Sequence, residues 1–383
     1  MLWLNVRHQR ESRQLYDSNS GRHSFPLLLA ALLSSGCVLF QHPISPQSSP
    51  YPPSALIEGM SFDFSSQVQA GSFPDNSGSD QWPMTWADDG HIYGVWGDGV
   101  GWNETSMRYS LGVSRIQATP PGLFGVDVWG ANDRNRKPLA IVGDAHHTIY
   151  LFHNTDVDNW SGSYGGKSTD NGQTWDLNFP RVFDRDTDGV TLAGIAQFGP
   201  GYTNVPSGTD SSYFYVYLKD RAGQAVYLAR VPKAEIFNRS AHTYFTGTDS
   251  SNNPNWSNDF STKQPVFFDP AGTEYHINVS YNPGIRRFIY AKGHNKSGLG
   301  VFEGTTLWGP WKTIFYGAFL DNNWKFTYQF PQKWMSANGL TMWMAWSGWP
   351  EYDNVNFVKV SLLLKNGSPE ETPPKPSESP RNP

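Results

Sequence analysis

The sequence has one cysteine, Cys37, in 383 residues. No intrachain disulfide is possible, so packing alone must hold the fold. Charge is also scarce. Asp, Glu, Lys and Arg make up 16% of the chain, and the net charge is −5. With no basic face, nucleic acid and anionic membrane surfaces are poor candidate partners. Long apolar runs are missing too. The uncharged stretch at residues 25–40, with the core LLLAALL at 27–33, falls short of the ~20 residues a spanning helix needs. No segment shows the periodicity of a long amphipathic helix.

Aromatic residues are abundant, with 16 Trp, 18 Tyr and 23 Phe, and so are turn formers, with 37 Gly and 28 Pro. That combination fits many short strands joined by tight turns. A unit of strand, polar turn and strand recurs at residues 86–96, 138–152, 213–229, 275–290 and 333–346. No unit could bury both faces alone, and five in a ring predict an all-β, five-bladed β-propeller. A β-sandwich is the alternative. The motif Ser168-Thr169-Asp170-Asn171-Gly172-Gln173-Thr174-Trp175 matches S-x-D-x-G-x-T-W, the Asp-box. In that hairpin the Asp holds turn amides, the Gly takes a positive φ and the Trp packs into the blade. Its residues are structural, so Asp170 is not a catalytic candidate.

Residues 1–37 read as a signal peptide: a polar, Arg-bearing start, the short apolar core, then Ser34-Ser35-Gly36-Cys37. Small residues before a lone Cys resemble a bacterial lipoprotein cleavage site, with Cys37 as the lipidated residue. The expectation is an exported protein, secreted or at the cell surface, touching membrane only through a lipid anchor. Residues 38–57 read as a Pro/Ser-rich linker, 58–364 as the propeller domain, and 365–383 as a disordered tail.

A near-neutral, aromatic-rich surface fits a neutral ligand. Sugars are the obvious class, since rings stack on their C–H faces while Asp and Asn bind hydroxyls. The richest cluster is SDQWPMTWADDGHIYGVWGDG at 79–99. Asp80 precedes the first strand of blade one, with Trp82 and Trp86 beside it as candidate stacking platforms. Asp98 follows the second strand on the same rim. Two carboxylates across a sugar are what glycosidic cleavage needs, one as acid and one as base or nucleophile. Structural readings stand beside these: Asp88-Asp89-Gly90 as a hairpin turn, Asp98-Gly99 as another, and Asp80 as a loop cap. Glu274, Glu303 and Asp220 are further carboxylates that could line the funnel, Asp220 also as a substrate-binding residue.

Asp184, Asp186 and Asp188, followed by Gly189, have the D-x-D-x-D-G form that opens a calcium loop. Ile195 stands at the twelfth position, so the bidentate Glu of an EF-hand is missing and calcium is left open. His146-His147 reads as a solvated turn rather than a zinc site. No other cofactor is implied.

The 79–99 run, together with KPLAIV (137–142), VYLARVPKAEIFNR (226–239), INVSYNPGIRRFIYAKG (277–293), LWGPWKTIFYG (307–317) and KWMSANGLTMWMAWSG (333–348), resembles the bacterial family called domain of unknown function 4185. The likeness covers about 75–360. Some members of that family are endo-D-arabinanases, glycoside hydrolases that cut the D-arabinofuranan of mycobacterial cell walls. The resemblance implies a five-bladed propeller and glycosidic hydrolysis. It carries Asp80 and Asp98 over as carboxylates, with Lys137 and Asn282 as substrate-binding positions. The family's Gly-rich stretch after WGDG is replaced here by Val100-Gly101-Trp102-Asn103. The expected protein is a monomeric glycoside hydrolase acting on a cell-wall or environmental polysaccharide. A non-catalytic glycan-binding propeller is the alternative. A polysaccharide lyase would need a basic funnel, for which the chain offers Lys137, Arg286 and Arg287.

Overall fold

The computed structural model describes residues 39–40, 49–71, 78–103, 107–321, 323–349 and 353–365. The expected signal peptide, Cys37 and all but the first residue of the tail lie outside them.

The chain folds into five separate antiparallel sheets and, among the described residues, no α-helix. It begins with β1 (Leu39–Phe40) and β2 (Ile57–Ala70). Blade one is β3 (Met84–Trp86), β4 (Ile92–Gly99), β5 (Tyr109–Gln117) and β6 (Phe124–Ala131). Blade two is β7 (Arg136–Gly143), β8 (Ile149–Thr155), β9 (Gly162–Ser168) and β10 (Arg181–Asp184). Blade three runs from β11 (Val190–Ile195) through β12 (Tyr213–Asp220) to β13 (Ala225–Pro232). Beyond β13 lie β14 (Thr243–Thr248) with β15 (Pro254–Ser257), and β16 (Pro265–Phe268). Blade four is β17 (Glu274–Asn282), β18 (Arg287–His294), β19 (Gly298–Gly304) and β20 (Lys312–Ala318). Blade five takes β21 (Phe326–Gln329), β22 (Thr341–Ser347) and β23 (Val355–Leu364) from the end of the domain and completes itself with β2 from the beginning. Pairing β2 with β23 joins the beginning of the domain to its end and closes the ring.

Neighbouring innermost strands pack against one another in the order β3, β7, β11, β17, β21. This is a five-bladed propeller, not a sandwich. Two of the five sequence units are out of phase with the blades. The pair at 213–229 forms the second and third strands of blade three, whose innermost strand is β11. In the last unit, residues 333–339 are a turn, and β21 is the innermost strand.

The aromatic content is used between sheets. Phe267 and Tyr290 stack at 4.4 Å with planes 7° apart, and Tyr290 meets Trp311 at 5.1 Å. Trp82, Trp96, Trp311 and Trp346 are all fully buried. Each large ring removes 150–250 Å² from water, about 4–6 kcal/mol gross at ~25 cal/mol/Å². No disulfide is needed to hold such a core.

In the turn after β9, Asp170 Oδ1 accepts the amides of Gln173 and Thr174 at 3.1 and 2.9 Å, and Gly172 has φ 80°. Trp175 packs on Trp129 of blade one at 5.8 Å. Residues 49–56, placed in the linker by composition, instead pack on blades three and four. Ser54 is buried and donates to Glu303 at 2.8 Å, and the Tyr51 ring lies 4.9 Å from Phe267.

Between innermost strands the main chain supplies a bridge at Gln197, whose amide donates to Val279 O at 2.8 Å and whose carbonyl accepts from the Tyr281 amide at 3.3 Å. Other polar groups there need other partners. Side chains supply them. Gln329 Oε1 accepts the Met84 amide at 2.9 Å, and Gln329 Nε2 donates to Trp82 O at 2.6 Å. Thr85 donates to Gln197 at 2.8 Å, and Gln197 donates to Ile141 O at 3.0 Å. His276 Nε2 meets Pro138 O at 3.0 Å, and its Nδ1 meets Thr327 Oγ1 at 2.6 Å. This polar lattice ties the blades together and fills the axis.

Candidate active site

All innermost strands run in one direction, so their first residues share one face of the ring. Asp80, Lys137 and Glu274-Tyr275 stand there. Asp80 pairs with Gly97 through two main-chain bonds of 3.0 and 3.2 Å. Gln81 and Trp82 then take positive φ, 77° and 60°. This kink leaves Asp80 at the mouth and turns the Trp82 ring inward.

The Asp80 residue is 8% exposed, and its Oδ1 is buried without a hydrogen-bond partner. Burial raises its carboxyl above the ordinary range, and the positive charge of Lys137 pulls the other way. Lys137 is itself held below the usual lysine range by burial, against the attraction of Asp80 and Asp353. Its ammonium forms an ion pair with Asp98, whose carboxylate is 48% exposed. Asp98 sits in β4 with φ 57°, a conformation that non-glycine residues rarely adopt and that re-aims its side chain. Gly97 leaves room for the group. A Cβ there would meet Pro138 Cδ at 3.2 Å, Asp80 Oδ1 at 3.3 Å and Lys137 Cδ at 3.4 Å. One buried carboxyl, one exposed carboxylate and a lysine between them therefore meet at the mouth.

Of the other candidates only Glu274 stands at this mouth. Trp82 is fully buried, with Nε1 donating to Ser79 O at 2.8 Å and its ring 6.1 Å from Trp96. It has no face for a sugar. Trp86 ends β3 and packs towards the axial filling, away from Asp80. Asn282 ends β17 on the opposite face. It is fully buried, donates to Gly339 O at 2.9 Å and accepts the Gly284 amide at 3.1 Å, so it holds a turn. Asp220 accepts the Gln224 amide at 2.8 Å in the β12–β13 turn. Glu303 is engaged by Arg287 at 3.1 Å and by Ser54. Glu274 begins β17 at the mouth; its Oε1 accepts the Lys296 amide at 2.6 Å, its Oε2 is buried without a hydrogen-bond partner, and burial raises its carboxyl. Arg286 and Arg287 follow Asn282 at the far end of β17, so they and Lys137 do not form one basic funnel.

The Asp184–Gly189 loop is not arranged for calcium. Asp184 is ion-paired with Arg181, and its Oδ1 accepts the amides of Asp186 and Thr187 at 2.7 and 3.0 Å. Asp186 meets Arg185 at 3.1 Å, and Asp188 accepts the Asp184 amide at 3.0 Å. The carboxylates that would ligate a cation face arginines and amides instead. Among the described residues, no group of three or more His, Cys, Asp or Glu side chains converges as metal ligands.

Tyr275 was not a sequence candidate. It is 37% exposed at the start of β17, with φ 44°. The ladder with β18 shifts register between Glu274 and Ile277, so Tyr275 lies in a bulge. Lys219 of blade three holds the bulge, its Nζ donating to Tyr275 O at 2.9 Å and Thr273 O at 3.3 Å. The next residue, His276, bonds to the carbonyl of Pro138, beside Lys137. Burial, with the charges of Asp80 and Glu274 adding to it, pushes the Tyr275 phenol up to about 12. Position within a strand periodicity gives no sign of such a bulge.

Solved structures that resemble the fold include the following three. A GH43_1 enzyme from Xanthomonas citri is 9% identical, with a TM-score of 0.45 over 78% of this chain and 91% of that one. An α-L-arabinofuranosidase from Podospora anserina, in complex with cellotriose, is 10% identical, with a TM-score of 0.45 over 76% and 94%. A GH43 β-xylosidase/α-arabinofuranosidase from a compost microbial metagenome, in complex with xylotriose, is 12% identical, with a TM-score of 0.47 over 78% and 96%. No protein-family model and no curated protein matches the sequence. The likeness to the domain of unknown function 4185 family therefore stays a resemblance of motifs.

Proposed function

We propose that the protein is a glycoside hydrolase that cleaves a polysaccharide at the mouth formed by Asp80, Lys137 and Asp98. The observation carrying this reading is the Asp80 carboxyl, buried, without a partner on Oδ1 and held towards its neutral form. A neutral carboxyl can give its proton to a departing glycosidic oxygen. Asp98, exposed and paired with Lys137, is the partner carboxylate. It either takes a proton from an attacking water or attacks the anomeric carbon itself. Lys137 lies between the two carboxyl groups, ion-paired with Asp98 and drawn to Asp80. Within this reading the motif resemblance favours a D-arabinan cut internally.

The test is sugar release from D-arabinan, L-arabinan, xylan and other soluble glycans. Wild type should release reducing sugar from one of them. Asp80→Asn and Asp98→Asn should each lose ~10²–10⁴-fold in rate, the range for a positioned acid or base. Binding of a glycan by wild type without release would leave a non-catalytic binding propeller. Activity surviving both substitutions would overturn the site.

A further inference from the structure

Around Tyr275 the mouth is aromatic. Tyr275 stands 4.6 Å from Phe326 with the rings at 90°, and 6.0 Å from Trp324 at 84°. Trp324 and Phe326 are stacked at 6.4 Å, and Lys296 lies 5.6 Å from the Trp324 ring centroid. Phe326 is buried, so it backs the Tyr275 ring without meeting solvent. A strained, bulged backbone, pinned by a lysine from another blade, holds a partly exposed aromatic ring close enough to Asp80 for that charge to act on its phenol. A core residue would gain nothing from that conformation, and bulges of this kind re-aim side chains next to functional sites.

We propose that Tyr275 is the sugar-stacking platform of this mouth, binding one ring of a neutral glycan on its face and donating its hydroxyl to a neighbouring sugar oxygen. The proposal rests on the glycan-active reading above. It gives to Tyr275 the part that Trp82, being buried, cannot play. The ring supplies apolar contact for C–H groups and pre-set geometry at low entropic cost. The phenol stays protonated through the neutral range, so it donates rather than repels.

The experiment is affinity electrophoresis in gels containing soluble D-arabinan or xylan, with sugar release measured on the same proteins. Tyr275→Ala should weaken retardation by about tenfold or more and raise KM more than it lowers kcat. Tyr275→Phe should keep the stacking and bind within about threefold of wild type. Both variants should melt within a few degrees of wild type, since the ring is partly solvent-exposed. Asp80→Asn should bind as wild type without release. Tyr275→Ala that is retarded like wild type overturns the proposal, whatever Asp80→Asn does. Release persisting in Asp80→Asn while Tyr275→Ala loses binding overturns the acid assignment and leaves the platform standing. A wild type retarded by none of the glycans overturns both.

Discussion

Replacing Lys292 by Met should be among the most destabilising single changes in the domain. Lys292 lies on β18 opposite Ile277, the first regular pair after the Tyr275 bulge. Its side chain has no solvent exposure and is ion-paired with Asp269, whose side chain is 2% exposed. The ammonium also donates to Gly272 O at 2.5 Å, and the carboxylate accepts the Tyr316 hydroxyl at 3.0 Å and the Ala271 amide at 2.9 Å. Lys292→Met leaves a desolvated carboxylate with no cation and takes the donor from Gly272. Breaking a buried pair from one side costs about 3–5 kcal/mol, against a total stability of ~5–15 kcal/mol for a folded domain. Adding Asp269→Asn removes the stranded charge and keeps an acceptor for Tyr316 and Ala271. The double variant should therefore recover about 2–3 kcal/mol of that loss. Urea unfolding at pH 7, followed by tryptophan fluorescence, measures both. A single variant costing under ~1 kcal/mol, or a double variant no more stable than the single, would refute the reasoning.

Two further outcomes follow from the site and the acidic loop. Asp80→Asn should raise Tm at pH 7 and leave it unchanged at pH 3. Burial lifts the folded carboxyl above its unfolded value near 3.8, so its stabilising effect is complete below that pH and is lost as pH rises through the folded value. The amide escapes that loss, and a lower Tm at pH 7 would sink the assignment of Asp80 as a buried, neutral-leaning acid. Adding EDTA should move Tm by less than about 1 °C, because a chelator destabilises only through a metal bound to the folded state. A fall of several degrees would return Asp184, Asp186 and Asp188 to the role of calcium ligands.

The ring of five sheets was legible in the sequence because each blade carries at least one strong hairpin, and hairpins are local. Blade phase was less legible. The innermost strands β11 and β21 are short, and β21 ends on Gln329, a polar residue whose partners are Trp82 and Met84 from another blade. The meeting of Asp80, Asp98 and Lys137 was partly legible, since β3 and β4 form one hairpin and β7 follows as the next innermost strand. Trp82 was misread because its burial depends on positive φ at two non-glycine residues, which composition does not announce. Tyr275 escaped notice for a similar reason. Its bulge is imposed by Lys219 and His276 through contacts with other blades, and such tertiary constraints leave no periodic trace.

Blade five closes the ring by pairing Ile57 with Leu364 and Ala70 with Val355. The paired ends of β2 and β23 therefore lie side by side, at the end of the blade away from the mouth, while the chain ahead of β2 runs on to Glu303 and Phe267 through Ser54 and Tyr51. Force applied through both ends would peel β2 from β23 one hydrogen bond at a time, like a zipper, rather than shear all of them together. The weakest mechanical direction of the ring thus lies along its own termini. A load on one of these strand ends alone is not directed along that seam.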